Sequence, residues 1–159
     1  MKTKTILIIA SAATIFILMT TKAKAFAKPT AKGIIRGCDA SGCGAFGSGR
    51  GARLHEGEDY TVSPGESIFS PISGNVIRYP FPYGGDLSYT GILIENARHS
   101  VKIFYMAPSA PIGSAVSAGQ LIGTAQNISA KYSSPMTNHI HVELRDKASN
   151  KLLKLSDFL

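Results

Sequence analysis

The sequence has no dense run of lysine and arginine with interleaved aromatics, so it lacks the footprint of a nucleic-acid-binding surface. It has only two cysteines, Cys38 and Cys43. A structural zinc site built on thiolates usually needs two such pairs, and the second is missing. No internal repeat is evident. The glycine-rich stretch 33–54 lacks the lysine–hydroxyl ending of a phosphate-cradling loop, and no helical pattern follows it. The apolar run from Ile6 to Met19 is shorter than the roughly 20 residues of a membrane-spanning helix.

That short run has a different use. Lys2 and Lys4 precede it, and Ala23-Lys24-Ala25 follows with small residues at the −3 and −1 positions of a cleavage site. Basic, apolar and small, in that order, is the layout of a secretory signal peptide over residues 1–25. The expected mature chain begins near Phe26, is secreted or periplasmic, and has no stable membrane insertion after cleavage. The leader carries four lysines and no acid, so its removal takes the net charge from +7 to +3. That modest balance favours adhesion to anionic envelopes and is weak support for nucleic acid as a partner. In an oxidising compartment, Cys38 and Cys43, five residues apart around Gly42, are most simply a disulfide; two zinc thiolates or free thiols are the alternatives.

The 159 residues have room for one domain, and 44% hydrophobic with 17% charged residues suits a globular one. Residues 26–32 are small, basic and interrupted by Pro29, the mark of a flexible leader. Residues 33–54 have little to bury and suit an irregular segment pinned by the disulfide. From Asp59 onward the punctuation is that of short strands. Tyr60–Val62, Ser67–Ser70, Gly74–Ile77, Gly91–Glu95, Val101–Met106, Gln120–Gly123 and His139–Leu144 are β-branched or aromatic runs bounded by Gly, Pro and Asn. The expected fold is all-β, an antiparallel core with long loops. The division is 1–25 signal peptide, 26–54 leader and glycine-rich loop, and 55–159 β domain, with a short helix or tail after Ala148.

Two motifs carry metal chemistry. His55-Glu56-Gly57-Glu58-Asp59 offers an imidazole and a carboxylate, but an extended strand would hold them roughly 13 Å apart, so the chain must bend, with Gly57 permitting the turn. In His139-Ile140-His141-Val142-Glu143-Leu144, alternation puts His139, His141 and Glu143 on one face and the apolar residues on the other. Two histidines about 7 Å apart do not normally share one ion, so one should ligate and the other act as a base. Spacing does not say which. His99 follows Arg98 in an expected turn and reads as exposed.

His55 to Asp59, then Pro64-Gly65 and Ile68-Phe69-Ser70-Pro71-Ile72-Ser73-Gly74-Asn75-Val76, resembles the first signature of the lysostaphin/LytM-type zinc peptidases. Ala118-Gly119-Gln120-Leu121-Ile122-Gly123 and His139-Ile140-His141-Val142-Glu143 resemble the later ones, in order. Upstream, Cys38-Asp39, Gly42-Cys43-Gly44, Phe46, Ser48, Arg50 and Arg53 resemble the leukocyte cell-derived chemotaxin branch, as does Val101-Lys102-Ile103-Phe104-Tyr105. The resemblance implies one zinc per chain, held by His55, Asp59 and His141, with His139 as general base and Cys38–Cys43 as a disulfide. It implies a groove on an antiparallel sheet and peptidoglycan cross-bridge peptides as the usual substrate. Zinc would act there as a Lewis acid that lowers the pKa of its water.

One departure leaves two functions open. The family's second catalytic histidine, in a tyrosine-x-histidine-leucine strand, falls on Met106, which cannot donate a hydrogen bond. Tyr105 could donate instead only if a bulge turned it round. The chemotaxin-like branch shares this loss and is regarded as non-catalytic. The chain thus reads either as an exported zinc hydrolase of peptidoglycan peptides or as a zinc-stabilised protein that binds wall peptides or a protein partner.

Overall fold

A computed structural model describes residues 25–132 and 135–159. The signal peptide expected over 1–25 falls, except for Ala25, outside them. Among the described residues there is no α-helix, and no helix is long and apolar enough to cross a membrane. In chain order the strands are β1 (Cys38–Asp39), β2 (Gly42–Cys43), β3 (Gly49–Arg50), β4 (Arg53–Leu54), β5 (Glu58–Thr61), β6 (Ser67–Phe69) and β7 (Gly74–Arg78). There follow β8 (Gly91–Glu95), β9 (His99–Phe104), β10 (Met106–Pro108), β11 (Ala115–Val116), β12 (Leu121–Ala125), β13 (His139–Asp146) and β14 (Lys151–Leu153). Every described pairing is antiparallel, as the sequence pattern implies.

The main sheet runs β11-β7-β8-β9-β13-β14, with β5 also paired to the first half of β13. A three-stranded sheet, β10-β12-β6, supplies the second layer. Register explains why the core closes. Ile92, Ile103 and Val142 lie opposite one another across β8, β9 and β13, and so do Ile94, Val101 and Leu144. All six are buried, with Ile68, Ile72 and Ile122 joining them in one cluster. Paired residues share a face, so the alternate positions line up on the other side of the sheet. One such row runs Gly91, Phe104, His141 and Asp59 across four strands. The core alternation therefore fixes where two of the metal-motif residues stand.

Three expectations change. The segment 26–32 is docked rather than loose: Ala27 N–H donates to the Pro71 carbonyl, Phe69 N–H donates to Pro29, and the Phe26 ring packs on His99 and Phe158. His99 is consequently half-buried. Gly57 has no left-handed backbone; it is needed because a Cβ there would sit 2.4 Å from the Val142 carbonyl oxygen and 2.9 Å from His141 Nε2. Stretch 33–54 is irregular apart from the β1–β2 and β3–β4 hairpins, and the Cys38–Cys43 disulfide closes the first.

The expected strand Val101–Met106 breaks at its fifth residue. Tyr105 has φ of +65°, a left-handed conformation rare for an aromatic residue and costing about 1–3 kcal/mol. The Tyr105 and Met106 N–H groups both donate to the Thr90 carbonyl, at 2.9 and 3.2 Å. This break reverses the parity of the strand. Val101 and Ile103 point to the core; after Tyr105 the next core residue is Met106, fully buried against Gly123. Met106 therefore does not occupy a groove position. Met106→His should lower stability by about 1–3 kcal/mol in urea unfolding, through burial of an unpaired imidazole. Unchanged stability with a freely titrating new imidazole would contradict this orientation.

Candidate metal centre

The site forms where β13 meets β5. His141 and Asp59 are direct cross-strand partners, and His55 arrives from the segment between β4 and β5. His55 Nε2 lies 2.9 Å from His141 Nδ1 and 3.2 Å from Asp59 Oδ1, and His141 Nδ1 lies 2.9 Å from the same oxygen. Donor atoms sharing one ion at about 2.0–2.1 Å in a tetrahedron lie about 3.3 Å apart. The triangle is close to that size.

The outer nitrogens reveal the proton arrangement. His55 Nδ1 faces the Ala45 carbonyl at 3.0 Å, and a carbonyl only accepts, so that nitrogen carries the proton. His141 Nε2 faces Glu143 Oε1 at 3.3 Å, which assigns its proton outward as well. Neutral imidazoles so oriented point bare lone pairs at each other and at a carboxylate oxygen. A proton on one inward nitrogen would relieve part of that repulsion; a cation satisfies all three donors. The outward N–H bonds also orient the rings, as partners of metal-bound histidines commonly do. By donor type and geometry, His55, Asp59 and His141 could hold a zinc ion.

Asp59 is divided between two tasks. Its Oδ2 accepts from Arg36 Nε at 3.3 Å, Arg36 Nη2 at 2.9 Å and Arg50 Nη2 at 3.1 Å, which leaves Oδ1 for the triangle. Burial works to raise the Asp59 pKa, but hydrogen bonds it accepts from His141 and His55 once either ring carries an inward proton, together with the neighbouring histidine charges, outweigh it and hold the carboxyl well below its usual range. Arg36 is itself buried; burial opposes its charge, and pairing with Asp39 and Asp59 overcomes that. Its Nη1 donates to the Gly42 carbonyl, and Arg50 Nη1 donates to Ser41 at 2.7 Å. Both arginines are therefore seated on the loop that the disulfide closes. Glu143, opposite Lys102 on β9, pairs with it at 2.8 Å. Burial pushes the Glu143 carboxyl up, and His141 and Lys102 bring it below its ordinary value.

His139 stands beside the triangle, not in it. Its Nδ1 donates to the Thr137 carbonyl at 2.7 Å, and its Nε2 lies 3.8 Å from Asp59 Oδ2. Burial lowers its pKa; the Asp59 charge and the Thr137 bond oppose this without cancelling it. It is therefore neutral at pH 7, with a bare Nε2. For His141 burial also lowers the pKa, but hydrogen bonds to Asp59 and Glu143 win and raise it in the metal-free chain. Tyr105 lies edge-on to His139, centroids 5.4 Å apart, and burial pushes its phenol up, so it stays protonated.

These groups line an open groove of about 440 Å³ that Arg53, Tyr83, Phe104 and Tyr132 extend. Sequence reasoning picked out His55, Asp59, His139 and His141, all of which reach this groove. It missed Arg36, the orienting role of Glu143 and the tyrosine wall. The alternation of β13 held a signal for Glu143; nothing local signalled Arg36.

No protein-family model matches the chain. It is 31% identical over 110 residues to leukocyte cell-derived chemotaxin-2 of Bos taurus, covering 69% of this chain and 72% of the bovine protein. The Mus musculus protein of that name is 32% identical over 115 residues, 72% of this chain and 75% of the mouse protein. Among solved structures, Helicobacter pylori Csd3 aligns with a TM-score of 0.62 at 18% identity, over 86% of this chain and 35% of that one. A zinc-containing peptidase from Vibrio cholerae gives 0.57 at 22% identity, over 82% and 39%. The catalytic domain of lysostaphin from Staphylococcus simulans gives 0.54 at 20% identity, over 72% and 87%. With that fold and those relatives, the chain belongs to the lysostaphin/LytM-type zinc metallopeptidase family, in its leukocyte cell-derived chemotaxin branch.

Proposed function

We propose that the protein is an exported zinc-dependent hydrolase of peptide bonds in peptidoglycan cross-bridges. The observation that carries this reading is the setting of His139, a neutral imidazole among the residues that line an open groove beside the three converging donors, with its proton anchored on Thr137 and its bare Nε2 3.8 Å from Asp59. A purely structural zinc site is closed by four protein ligands, whereas a hydrolytic one has three and an open position. His55, Asp59 and His141 would hold the ion. Zinc, when bound, supplies a Lewis acid and an acidified water. His139 then takes a proton at Nε2 and later returns it to the leaving amine, while Thr137 keeps its ring in place. Arg36 and Arg50 hold Asp59 Oδ2 and so leave Oδ1 to the triangle. The substrate class rests on the family and on a groove open enough for an extended peptide.

A second reading has its own observation. With Met106 in the core, the groove lacks the family's second histidine, and a zinc-stabilised binder of wall peptides or of a protein partner needs none.

Purified mature protein should hold about one zinc per chain, and His141→Ala should lose it; full zinc content in that variant would refute the ligand set. Zinc binding should weaken as pH falls. Metal needs the bare His141 nitrogen, and the raised pKa of His141 starts proton competition above its ordinary 6.5. Asp59 remains ionised throughout, so the expected loss is up to about tenfold in affinity per pH unit from this histidine, read by competition with a chelating dye. Affinity that does not change between pH 7.5 and 5.5 would contradict it. Incubation with peptidoglycan, read by mass spectrometry, should release zinc-dependent new peptide termini that His139→Ala lowers by about 100-fold or more. Sedimentation with the wall and no new termini would favour the binder.

A further inference from the structure

Among the described non-glycine residues only Tyr105 and Asn150 have positive φ, and asparagine adopts that conformation readily while tyrosine does not. The strain at Tyr105 is held by identified bonds. Its N–H and that of Met106 converge on the Thr90 carbonyl, and the Gln126 N–H donates to the Tyr105 carbonyl at 2.9 Å. In a regular strand Tyr105 would follow Val101 and Ile103 into the core. The left-handed turn instead brings its ring into the groove against His139.

The hydroxyl is part of a chain of phenols. Tyr83 and Tyr132 oxygens are 2.7 Å apart, and the Tyr83 hydroxyl donates to Tyr105 at 3.4 Å. With Tyr83 donating to Tyr105, Tyr132 must donate to Tyr83. The proton of Tyr105 itself then has no protein acceptor among the described residues and is free for the groove. A ring needed only for packing would not require this polar end: phenylalanine would fill the same space.

We infer that Tyr105 is the groove's hydrogen-bond donor to the oxygen of a ligand carbonyl held beside His55, Asp59 and His141. This deepens the hydrolase reading and rests on its metal site. As a peptide carbonyl is attacked, its oxygen gains charge, and a fixed donor there acts most strongly on the charged form. The donor is a phenol presented by the backbone break between β9 and β10.

The test uses zinc-loaded mature protein, acetohydroxamate as a small probe with a metal-seeking oxygen, and Tyr105→Phe, which keeps the ring. The variant should retain one zinc per chain and bind acetohydroxamate about tenfold more weakly by calorimetry. If the wild type cleaves peptidoglycan, the variant should be about 100-fold slower. Tyr83→Phe, which removes only the feeding phenol, should show a smaller loss, and it provides a second check should Tyr105→Phe fold poorly. Weakened acetohydroxamate binding with no cleavage by either protein supports the donor and sinks the hydrolase reading. Acetohydroxamate affinity within twofold of wild type in both variants overturns the donor whether or not cleavage occurs, as does failure of the probe to bind wild-type protein at all.

Discussion

The Asp59 carboxylate is the point on which the rest of the site depends. One oxygen is gripped by two guanidinium groups, and the other completes a triangle with two imidazole nitrogens. A buried carboxylate without partners would take up a proton rather than stay charged. The histidines around Asp59 hold its pKa down, and Arg36 and Arg50 pair with its other oxygen, with one guanidinium buried beside it. The arrangement explains the glycine-rich prelude to the β domain. That segment contributes little apolar surface, but it seats both arginines through the Ser41 and Gly42 carbonyls, and the disulfide keeps the seat small and fixed. The disulfide and the donor triangle thus belong to one construction.

Two further constraints shape the groove. The sheet register puts His141 between Asp59 and Phe104, so the packing of Ile103 and Val142 underneath sets the position of the polar row above. Gly57 lets the preceding chain pass within contact of the His141 ring, where any side chain would displace it. The break at Tyr105 then separates the two sheets and exchanges which residue faces the groove. The shape of the donor triangle and of the groove is therefore a consequence of backbone choices at a few positions.

Much of this was legible in the sequence. The strands could be read because alternation and Gly/Pro punctuation are local signals, and β8, β9 and β13 lie close to where they were expected. The alternation of β13 placed His139, His141 and Glu143 on one face, and the need for a bend after His55 followed from simple distance. Less local features were not readable. Arg36 lies 23 residues from Asp59, and only the tertiary path brings them together. The docking of 26–32 depends on the end of β6 and on the rings of His99 and Phe158 that meet Phe26. The motif resemblance set Met106 at the family's histidine position, but a single left-handed residue inverts the pattern and sends Met106 to the core; Tyr105 carries no local mark of that conformation.

One metal ion held by His55, Asp59 and His141 would be bound through two nitrogens and one oxygen. X-ray absorption at the zinc edge of the loaded mature protein tests this directly. The expected spectrum has a shell of nitrogen and oxygen at about 2.0–2.1 Å, with the outer-shell scattering of two imidazoles and no sulfur. A sulfur shell near about 2.3 Å, or an all-oxygen shell without imidazole scattering, would contradict it.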